Sequence, residues 1–159
     1  MRPLIFLDID GVLNPGVTHD ARGARLVLSP ERVGLVRELA AVARIVWAST
    51  VDSALTLQLT EQIDLPADTQ RVRFANDLPV HPDFPGTTPK LQSIARWLDR
   101  LDTNERPSAI VWIDDIQRAD ARAWAARQPV ATLLLQPNAD RGLLEQHVAE
   151  ARAFVGDLR

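Results

Sequence analysis

The sequence contains no cysteine, which excludes disulfide bonds, thiolate metal sites and cysteine nucleophiles. It also lacks a strong charge bias, since its formal net charge is −3 at pH 7. A general attraction to polyanions is therefore not encoded in the charge, and binding to nucleic acid would need a local basic patch. The cysteine-free composition fits a reducing compartment, and we expect a cytoplasmic location.

The chain also has no long apolar run. Its first apolar segment, residues 3–7, is interrupted by Asp8, so it is too short for a secretion signal or a membrane span and predicts a buried strand. Hydrophobic residues make up 46% and charged residues 25%, which is the balance of a globular protein. We expect one domain over residues 1–159 and no membrane partner, while the oligomeric state stays open.

Short apolar segments alternate with helical patterns along the chain. The apolar segments predict strands at residues 4–9, 44–48, 72–75, 109–113 and 131–135. Helices are predicted from Ser29-Pro30, from Thr88-Pro89, and over residues 52–62, 118–127 and 141–155. This alternation predicts an α/β fold of three layers, in which helices cover both faces of a five-stranded, mostly parallel sheet.

Polar side chains collect where three of these strands end. Asp8 and Asp10 end the first strand, Ser49-Thr50 end the second, and Asp114-Asp115 end the fourth. In open α/β sheets, ligands bind outside the carboxyl ends of the strands. Asp8 and Asp10 are two residues apart, which on an extended chain directs both side chains to one face. We therefore expect a binding or catalytic site at this edge of the sheet.

The two aspartate pairs predict a bound cation. A single aspartate at a strand end is usually explained by a turn or a helix cap, but two pairs that each follow an apolar strand are harder to explain in that way. Like charges about 4 Å apart repel by roughly 4 kcal/mol at an effective dielectric constant of 20. A shared pocket therefore needs protonation or a cation. The three histidines lack ligand spacing (His19, His81 and His147), so an all-oxygen site for Mg²⁺ fits best.

Other positions near these aspartates carry weaker signals. Gly11 permits a sharp exit from the strand and a close approach of the backbone to a ligand. For a single hydroxyl, the end of a strand or a helix cap is the preferred explanation, but Ser49 and Thr50 together, beside the carboxylates, can donate hydrogen bonds to a phosphoryl oxygen. With Thr88 as the N-cap, Lys90 lies in the first helical turn and can face an anion there; a solvated surface lysine is the alternative.

Together these residues resemble the four motifs of the haloacid dehalogenase (HAD) superfamily of phosphohydrolases. The motifs read as Asp8-Ile9-Asp10-Gly11, Ser49 or Thr50, Lys90, and Asp114-Asp115, in the expected order and over nearly the whole chain. A narrower resemblance is to the small HAD domains associated with bacterial RNA-repair proteins. It rests on the segments at residues 46–50, 89–91, 111–115 and 142–148.

The resemblance implies a Rossmann-like sheet of strand order 5-4-1-2-3 and a phosphatase mechanism. Asp8 would attack phosphorus to form an aspartyl-phosphate, and Asp10 would protonate the leaving oxygen and later activate water. Mg²⁺ would be held by Asp8, the backbone carbonyl of Asp10 and Asp114. Asp115 would be a further ligand or would contact a ligand. The phosphoryl group would be contacted by the remaining motif residues, Ser49 or Thr50, Gly11 and Lys90.

HAD enzymes for small metabolites commonly carry a cap domain, inserted after the first motif or before the lysine. Residues 15–28 and the stretch between the second helix and Lys90 are too short for a cored domain. We therefore expect a capless, open site that admits a terminal phosphate of a polynucleotide. The alternatives are a phosphatase of nucleotides or other small phosphate esters and, from another class, a catalytically silent HAD fold that serves only for binding.

Overall fold

Four of the predicted apolar segments form a parallel sheet in the computed structural model, which describes residues 1–16, 26–74 and 87–158. The strands are β1 (Leu4–Leu7), β2 (Arg44–Trp47), β3 (Ala109–Ile113) and β4 (Ala131–Leu135). They lie in the order β2-β1-β3-β4, and every pairing is parallel. β1 is therefore an inner strand with hydrogen-bonded neighbours on both edges.

The described helices lie between and after these strands. They are α1 (Pro30–Val42), α2 (Ser53–Ile63), α3 (Leu91–Asp99), α4 (Ala119–Ala126) and α5 (Glu145–Asp157), with a short 3₁₀ helix at Thr103–Glu105. Ser29 Oγ accepts the Arg32 N–H at 3.2 Å and Pro30 is the first residue of α1, which confirms the predicted start. Within the described ranges, no helix combines the length and the apolar character needed to cross a bilayer.

Side chains alternate between the two faces along each strand, so both faces of the sheet carry apolar side chains. Helices cover both faces and bury these side chains. Ile5 and Trp47 lie on one face, in a core completed by residues of α1, α2 and α5. Phe6 and Trp112 lie on the other face, with residues of α3 and α4. A fully buried side chain of this size stabilises the fold by roughly 1.5–3 kcal/mol. The predicted three-layer α/β/α fold is therefore confirmed.

The prediction of a strand at residues 72–75 is wrong for residues 72–74, the part of this segment that the structure describes. The chain pairs with β2 only through an isolated parallel bridge between Trp47 and Arg71. Gln70 O accepts the Trp47 N–H at 2.9 Å, and the Val72 N–H donates to Trp47 O at 2.8 Å. Val72 is fully buried, so its apolar character reflects packing against the core and not membership of a longer strand. Residue 75 lies outside the described residues.

The predicted bounds of β1 and α5 need the largest corrections. β1 ends at Leu7 and not at residue 9, because the chain turns back after Ile9, whose carbonyl accepts the N–H groups of residues 12–14. The alternation of an extended strand therefore does not set the directions of the Asp8 and Asp10 side chains. α5 begins at Glu145 and not at residue 141, since Asn138 O accepts the N–H groups of residues 141 and 142 in a preceding turn.

The start of α5 uses a histidine in its neutral form. The backbone N–H of Leu144, the N-cap residue, donates to Nδ1 of His147 at 3.0 Å. Burial lowers the pKa of His147, against a smaller, opposite effect of the Glu150 carboxylate. Protonation would put an N–H where the acceptor is needed. This contribution to stability is therefore present above the ordinary histidine pKa of about 6.5 and is lost as the pH falls below it.

We expect His147→Gln to reduce the pH dependence of folding stability. The free energy of unfolding of the wild type should fall more between about pH 7.5 and pH 5 than that of the variant, because the variant cannot titrate at this position. Urea unfolding at each pH measures both values. The other two histidines are present in both proteins, so their contributions cancel. Equal pH slopes would show that the Leu144–His147 hydrogen bond carries no pH-dependent stability.

Candidate active site

The centre of the site consists of two aspartates that extend neighbouring strands. Asp8 follows β1 and its N–H donates to Ile113 O at 3.1 Å, while Asp114 follows β3 and its N–H donates to Leu135 O at 3.1 Å. Leu7 and Ile113 are register partners in the β1–β3 pairing, which places the two aspartates side by side. Their exposed fractions are 2% and 1%. The structure therefore buries two adjacent carboxyl groups at the carboxyl edge of the sheet.

Lys90 bridges the two buried carboxylates. Its Nζ lies 2.6 Å from Asp8 Oδ1 and 2.9 Å from Asp114 Oδ2. Lys90 is also the only lysine in a chain that has 18 basic residues, the remainder being arginine. Lysine provides a compact point charge where the planar guanidinium of arginine would demand a different geometry. The single lysine in an arginine-rich sequence is thus a compositional signal that points to this site.

The pKa values in this cluster reflect burial and mutual repulsion. Burial, assisted by the negative charge of Asp114, raises the pKa of Asp8 to about 7, although Lys90 and the Ile9 N–H act in the opposite direction. Burial also raises the pKa of Asp114, against the effect of Lys90. For Lys90, burial lowers the pKa, but the charges of Asp114 and Asp8 together outweigh it, so that its pKa is raised. One ammonium group therefore compensates two carboxylates only in part.

A third carboxylate makes this imbalance larger. Asp8, Asp114 and Asp115 each offer a carboxylate oxygen, and these oxygens lie within 4.8 Å of one another. Three carboxylates against one ammonium group leave a negative site made entirely of oxygen ligands, which is the donor set that Mg²⁺ prefers. The residues present therefore fit a divalent cation. The Asp10 carboxylate is not part of this group, and its Oδ1 accepts a hydrogen bond from Asn14 Nδ2 at 3.1 Å.

Gly11 lies directly against Asp115. Its φ of 77° is in the left-handed region that favours glycine. A Cβ on Gly11 would lie 2.5 Å from both Cγ and Oδ2 of Asp115, which is far inside van der Waals contact. The missing side chain thus lets Asp115 pack against the loop that follows Asp8. A contact between Gly11 and a bound phosphate stays a prediction.

The two hydroxyl residues after β2 differ in exposure. Ala48 N–H donates to Leu7 O at 2.8 Å, so the residues after β2 reach the same edge of the sheet as Asp8. Ser49 is 2% exposed, and its Oγ accepts the Val51 N–H at 3.4 Å. Thr50 is exposed. Ser49 is therefore the better placed of the two for a role inside the pocket, and its contact with a phosphoryl oxygen stays a prediction.

The predicted N-cap role of Thr88 is wrong. α3 begins at Leu91, Lys90 occupies the N-cap position, and no side chain caps the helix. The Thr88 hydroxyl instead donates to Asp120 Oδ1 at 2.6 Å. Thr88 and Asp120 are 32 residues apart in the chain, and no local pattern links them. Asp120 was therefore not recognisable from the sequence as a neighbour of the site.

Asp8 directly after the inner strand β1, and Lys90 between Asp8 and Asp114, give the order and placement of motifs expected for a HAD-like fold. One family model, described as the HAD domain in Swiss Army Knife RNA repair proteins, matches residues 4–148. The chain therefore belongs to this family, and its resemblance to the HAD superfamily is confirmed. No curated protein and no solved structure gives a significant match.

The contact between Gly11 and Asp115 leads to a prediction with an internal control. Gly16 also has a positive φ, of 70°, but a Cβ there would meet no atom within 4 Å. We expect Gly16→Ala to cost about 1 kcal/mol through backbone strain alone, and Gly11→Ala about 2–4 kcal/mol because Asp115 must also move. Urea unfolding of the two variants measures the difference. Equal losses of unfolding free energy in the two variants would mean that Asp115 can move away from the new Cβ without an energetic cost.

The raised pKa of Asp8 predicts that its charge destabilises the metal-free protein. The folded-state pKa of about 7 exceeds the ordinary value of 3.8, so the folded state favours the protonated carboxyl group. The resulting stability is complete below pH 3.8 and is lost as the pH rises through about 7. In EDTA we expect Asp8→Asn to raise Tm by several degrees at pH 8, which corresponds to about 1–3 kcal/mol.

The same measurement tests the cation. Millimolar Mg²⁺ should raise the Tm of the wild type more than that of Asp8→Asn, because the ion binds the charged folded site. Asp68→Asn, which removes an exposed aspartate outside the cluster, serves as the control and should leave Tm unchanged within error. An Asp8→Asn variant that is less stable than the wild type at pH 8 in EDTA would contradict the proposed repulsion.

Proposed function

We propose that this chain is a Mg²⁺-dependent phosphohydrolase that acts through an aspartyl-phosphate on Asp8. The observation that carries the proposal is the position of Lys90 Nζ, 2.6 Å from Asp8 and 2.9 Å from Asp114, within a cluster of three carboxylates. Here one ammonium group and three carboxylates form a pocket suited to a second cation and to an anionic substrate, as phosphoryl transfer requires.

Asp8 is the proposed nucleophile. The Ile9 N–H and Lys90 Nζ both contact Oδ1 of Asp8, so Oδ2 is the atom we assign to the attack on phosphorus. A bond forms between Oδ2 and phosphorus while the bond between phosphorus and the ester oxygen breaks. Water then attacks the same phosphorus, and the products are inorganic phosphate and the free Asp8 carboxylate. Lys90 favours the ionised form of Asp8, against the larger effect of burial, and would offset the negative charge of the phosphoryl group.

Asp10 is the proposed acid and base. Its carboxyl group would give a proton to the leaving oxygen and would take one from the attacking water, which is the usual pair of tasks in a double displacement. Its Oδ1 is oriented by Asn14 Nδ2 at 3.1 Å, and the backbone of Asp10 forms a bridge with the backbone of Asn14. The short turn after β1 therefore fixes the direction of this side chain relative to the strand.

The metal would be held by Asp8, Asp114 and Asp115, with the backbone carbonyl of Asp10 as a further oxygen ligand. When bound, Mg²⁺ supplies Lewis-acid stabilisation of the negative charge on the phosphoryl oxygens. The orientation of the Asp114 carboxylate supports this assignment: its Oδ1 accepts the Ile116 N–H at 2.9 Å, and its Oδ2 accepts a hydrogen bond from Lys90. Ser49, with Thr50 and the backbone of Gly11, would contact the phosphoryl group from the side of β2.

The substrate class that we propose is a terminal phosphate of a polynucleotide. The family description names RNA repair proteins, and the short segments around the motifs led us to expect a site without a cap domain. Residues 17–25 and 75–86, where a cap insertion would lie, are outside the described residues. Nucleotides and other small phosphate esters are the alternative substrates. A cytoplasmic location likewise stays a prediction from the cysteine-free sequence.

We expect the protein to release phosphate in the presence of Mg²⁺ and Asp8→Asn to lower kcat by about 10³-fold or more, because the attacking atom is lost. Lys90→Arg should lower kcat by about 10²-fold, since the guanidinium group keeps the charge but not the geometry. Initial rates on an RNA oligonucleotide with a terminal phosphate, a mononucleotide and a sugar phosphate rank the substrates. The highest kcat/KM is expected for the oligonucleotide.

Two outcomes would change the proposal in different ways. A preference for the mononucleotide or the sugar phosphate would reject the polynucleotide substrate and retain the chemistry. A protein that releases no phosphate from any of the three, and is indistinguishable from Asp8→Asn, would reject the chemistry and favour a domain that only binds. Asp68→Asn is the matched control, because it removes an aspartate charge from an exposed position.

A further inference from the structure

We infer that Asp120 is a positioning residue that holds Lys90 between Asp8 and Asp114 by fixing Thr88. Asp120 lies in the first turn of α4 and belongs to none of the four motifs. Its carboxylate receives both donors of Thr88, the N–H at 2.8 Å on Oδ2 and the hydroxyl at 2.6 Å on Oδ1. We call this contact the Thr88–Asp120 clasp. For its kinetic consequence, the inference rests on the proposed function.

On the side of Thr88 the clasp is buried, and the hydroxyl group acts as both donor and acceptor. Thr88 is 2% exposed, and its Oγ accepts the backbone N–H of Arg118 at 2.9 Å while donating to Asp120. Arg118 Nη1 adds a hydrogen bond to Thr87 O at 2.9 Å. Hydrogen bonds to a charged acceptor are shorter and about twice as strong as neutral ones. Several hydrogen bonds therefore connect the segment before α3 to the start of α4.

The hydrogen bonds connect the two parts of the chain that contain Lys90 and its partner Asp114. Thr88 precedes Lys90 by two residues, with Pro89 between them, whose ring fixes φ. Asp114 begins the connection from β3 to α4, in which Gln117 Nε2 donates to Trp112 O at 2.9 Å, and Asp120 lies just after it, in the first turn of α4. The clasp thus closes a ring of contacts, in which Lys90 meets Asp114 at one end and Thr88 meets Asp120 at the other.

A fixed backbone matters here because Lys90 has a long side chain. Ordering a lysine side chain has a cost in conformational entropy, and Lys90 is the N-cap residue of α3, where no side chain caps the helix. Without the clasp, the start of α3 would have more freedom and the ammonium group would leave its place between the carboxylates more often. Small displacements of a catalytic group can lower a rate by about 10²-fold.

A simpler explanation is that Asp120 only stabilises α4. An acidic residue in the first helical turn interacts favourably with the helix dipole. Glu145 occupies the first turn of α5, is exposed, and provides the matched control for this effect. If the dipole were the whole role of Asp120, then Asp120→Asn and Glu145→Gln would behave alike at Lys90.

The single lysine allows a test that needs no enzymatic activity. Reductive methylation with ¹³C-formaldehyde labels amino groups, and Lys90 carries the only side-chain amino group of the sequence, so that the α-amino group of the protein used serves as the internal reference in NMR spectra. We expect Asp120→Asn and Thr88→Val to methylate Lys90 about 3- to 10-fold faster than the wild type, because the ammonium group is released more often. Thr88→Ser, which keeps both donors, and Glu145→Gln should stay within about twofold of the wild type.

Kinetics then test the consequence for the proposed reaction. Asp120→Asn should lower kcat about tenfold with little change in KM, and should cause no further loss in a Lys90→Met background, because it acts through Lys90. A further loss in that background would overturn the positioning role. Lys90 methylation that is unchanged in both Asp120→Asn and Thr88→Val would overturn it regardless of activity. Faster methylation in a protein without phosphatase activity would support the clasp and reject only the proposed function.

Discussion

The structure depends on how three carboxylates, two of them buried, share one site with a single ammonium group. Asp8 and Asp114 are buried next to each other because they continue neighbouring parallel strands, and Asp115 adds a third carboxylate oxygen within 4.8 Å. Lys90 offsets only part of this charge. Burial of like charges is unfavourable unless a cation or a proton compensates them. The charges of the site therefore lower the stability of the metal-free fold. The same charges suit the site to binding a cation and, with it, a phosphate.

The rest of the fold places these groups and resists their repulsion. Helices on both faces bury the sheet in two cores, and the inner strand β1 is hydrogen bonded on both edges. Parallel strands direct all their carboxyl ends to one edge, so residues from distant parts of the chain meet there. The loop after β1 needs a glycine at position 11 because Asp115 occupies the space of its side chain. The packing of β1 and the contact between Gly11 and Asp115 thus determine both the core and the geometry of the site.

Most of the fold could be predicted from the sequence, because apolar segments and helix-start signals are local. β3 and β4 have the predicted bounds, and Ser29-Pro30 begins α1 as expected. The strand predicted at residues 72–75 failed, since an apolar residue such as Val72 signals burial but not hydrogen-bond pairing. The grouping of Asp8, Lys90 and Asp114 followed from strand ends and motif order. The bond between Thr88 and Asp120 could not be foreseen, because tertiary contacts over 32 residues leave no local pattern.

The central position of β1 also has a consequence for the order of folding. β1 comprises residues 4–7 but pairs on one edge with residues 110–113, so the Asp8 side chain cannot meet Asp114 until most of the chain has left the ribosome. Contacts of such long sequence separation form late and slowly. Lys90 emerges before Asp114, which means that the neutralising group is available before the second buried carboxylate arrives. A nascent chain that stops short of β3 would have the proposed nucleophile but no assembled site.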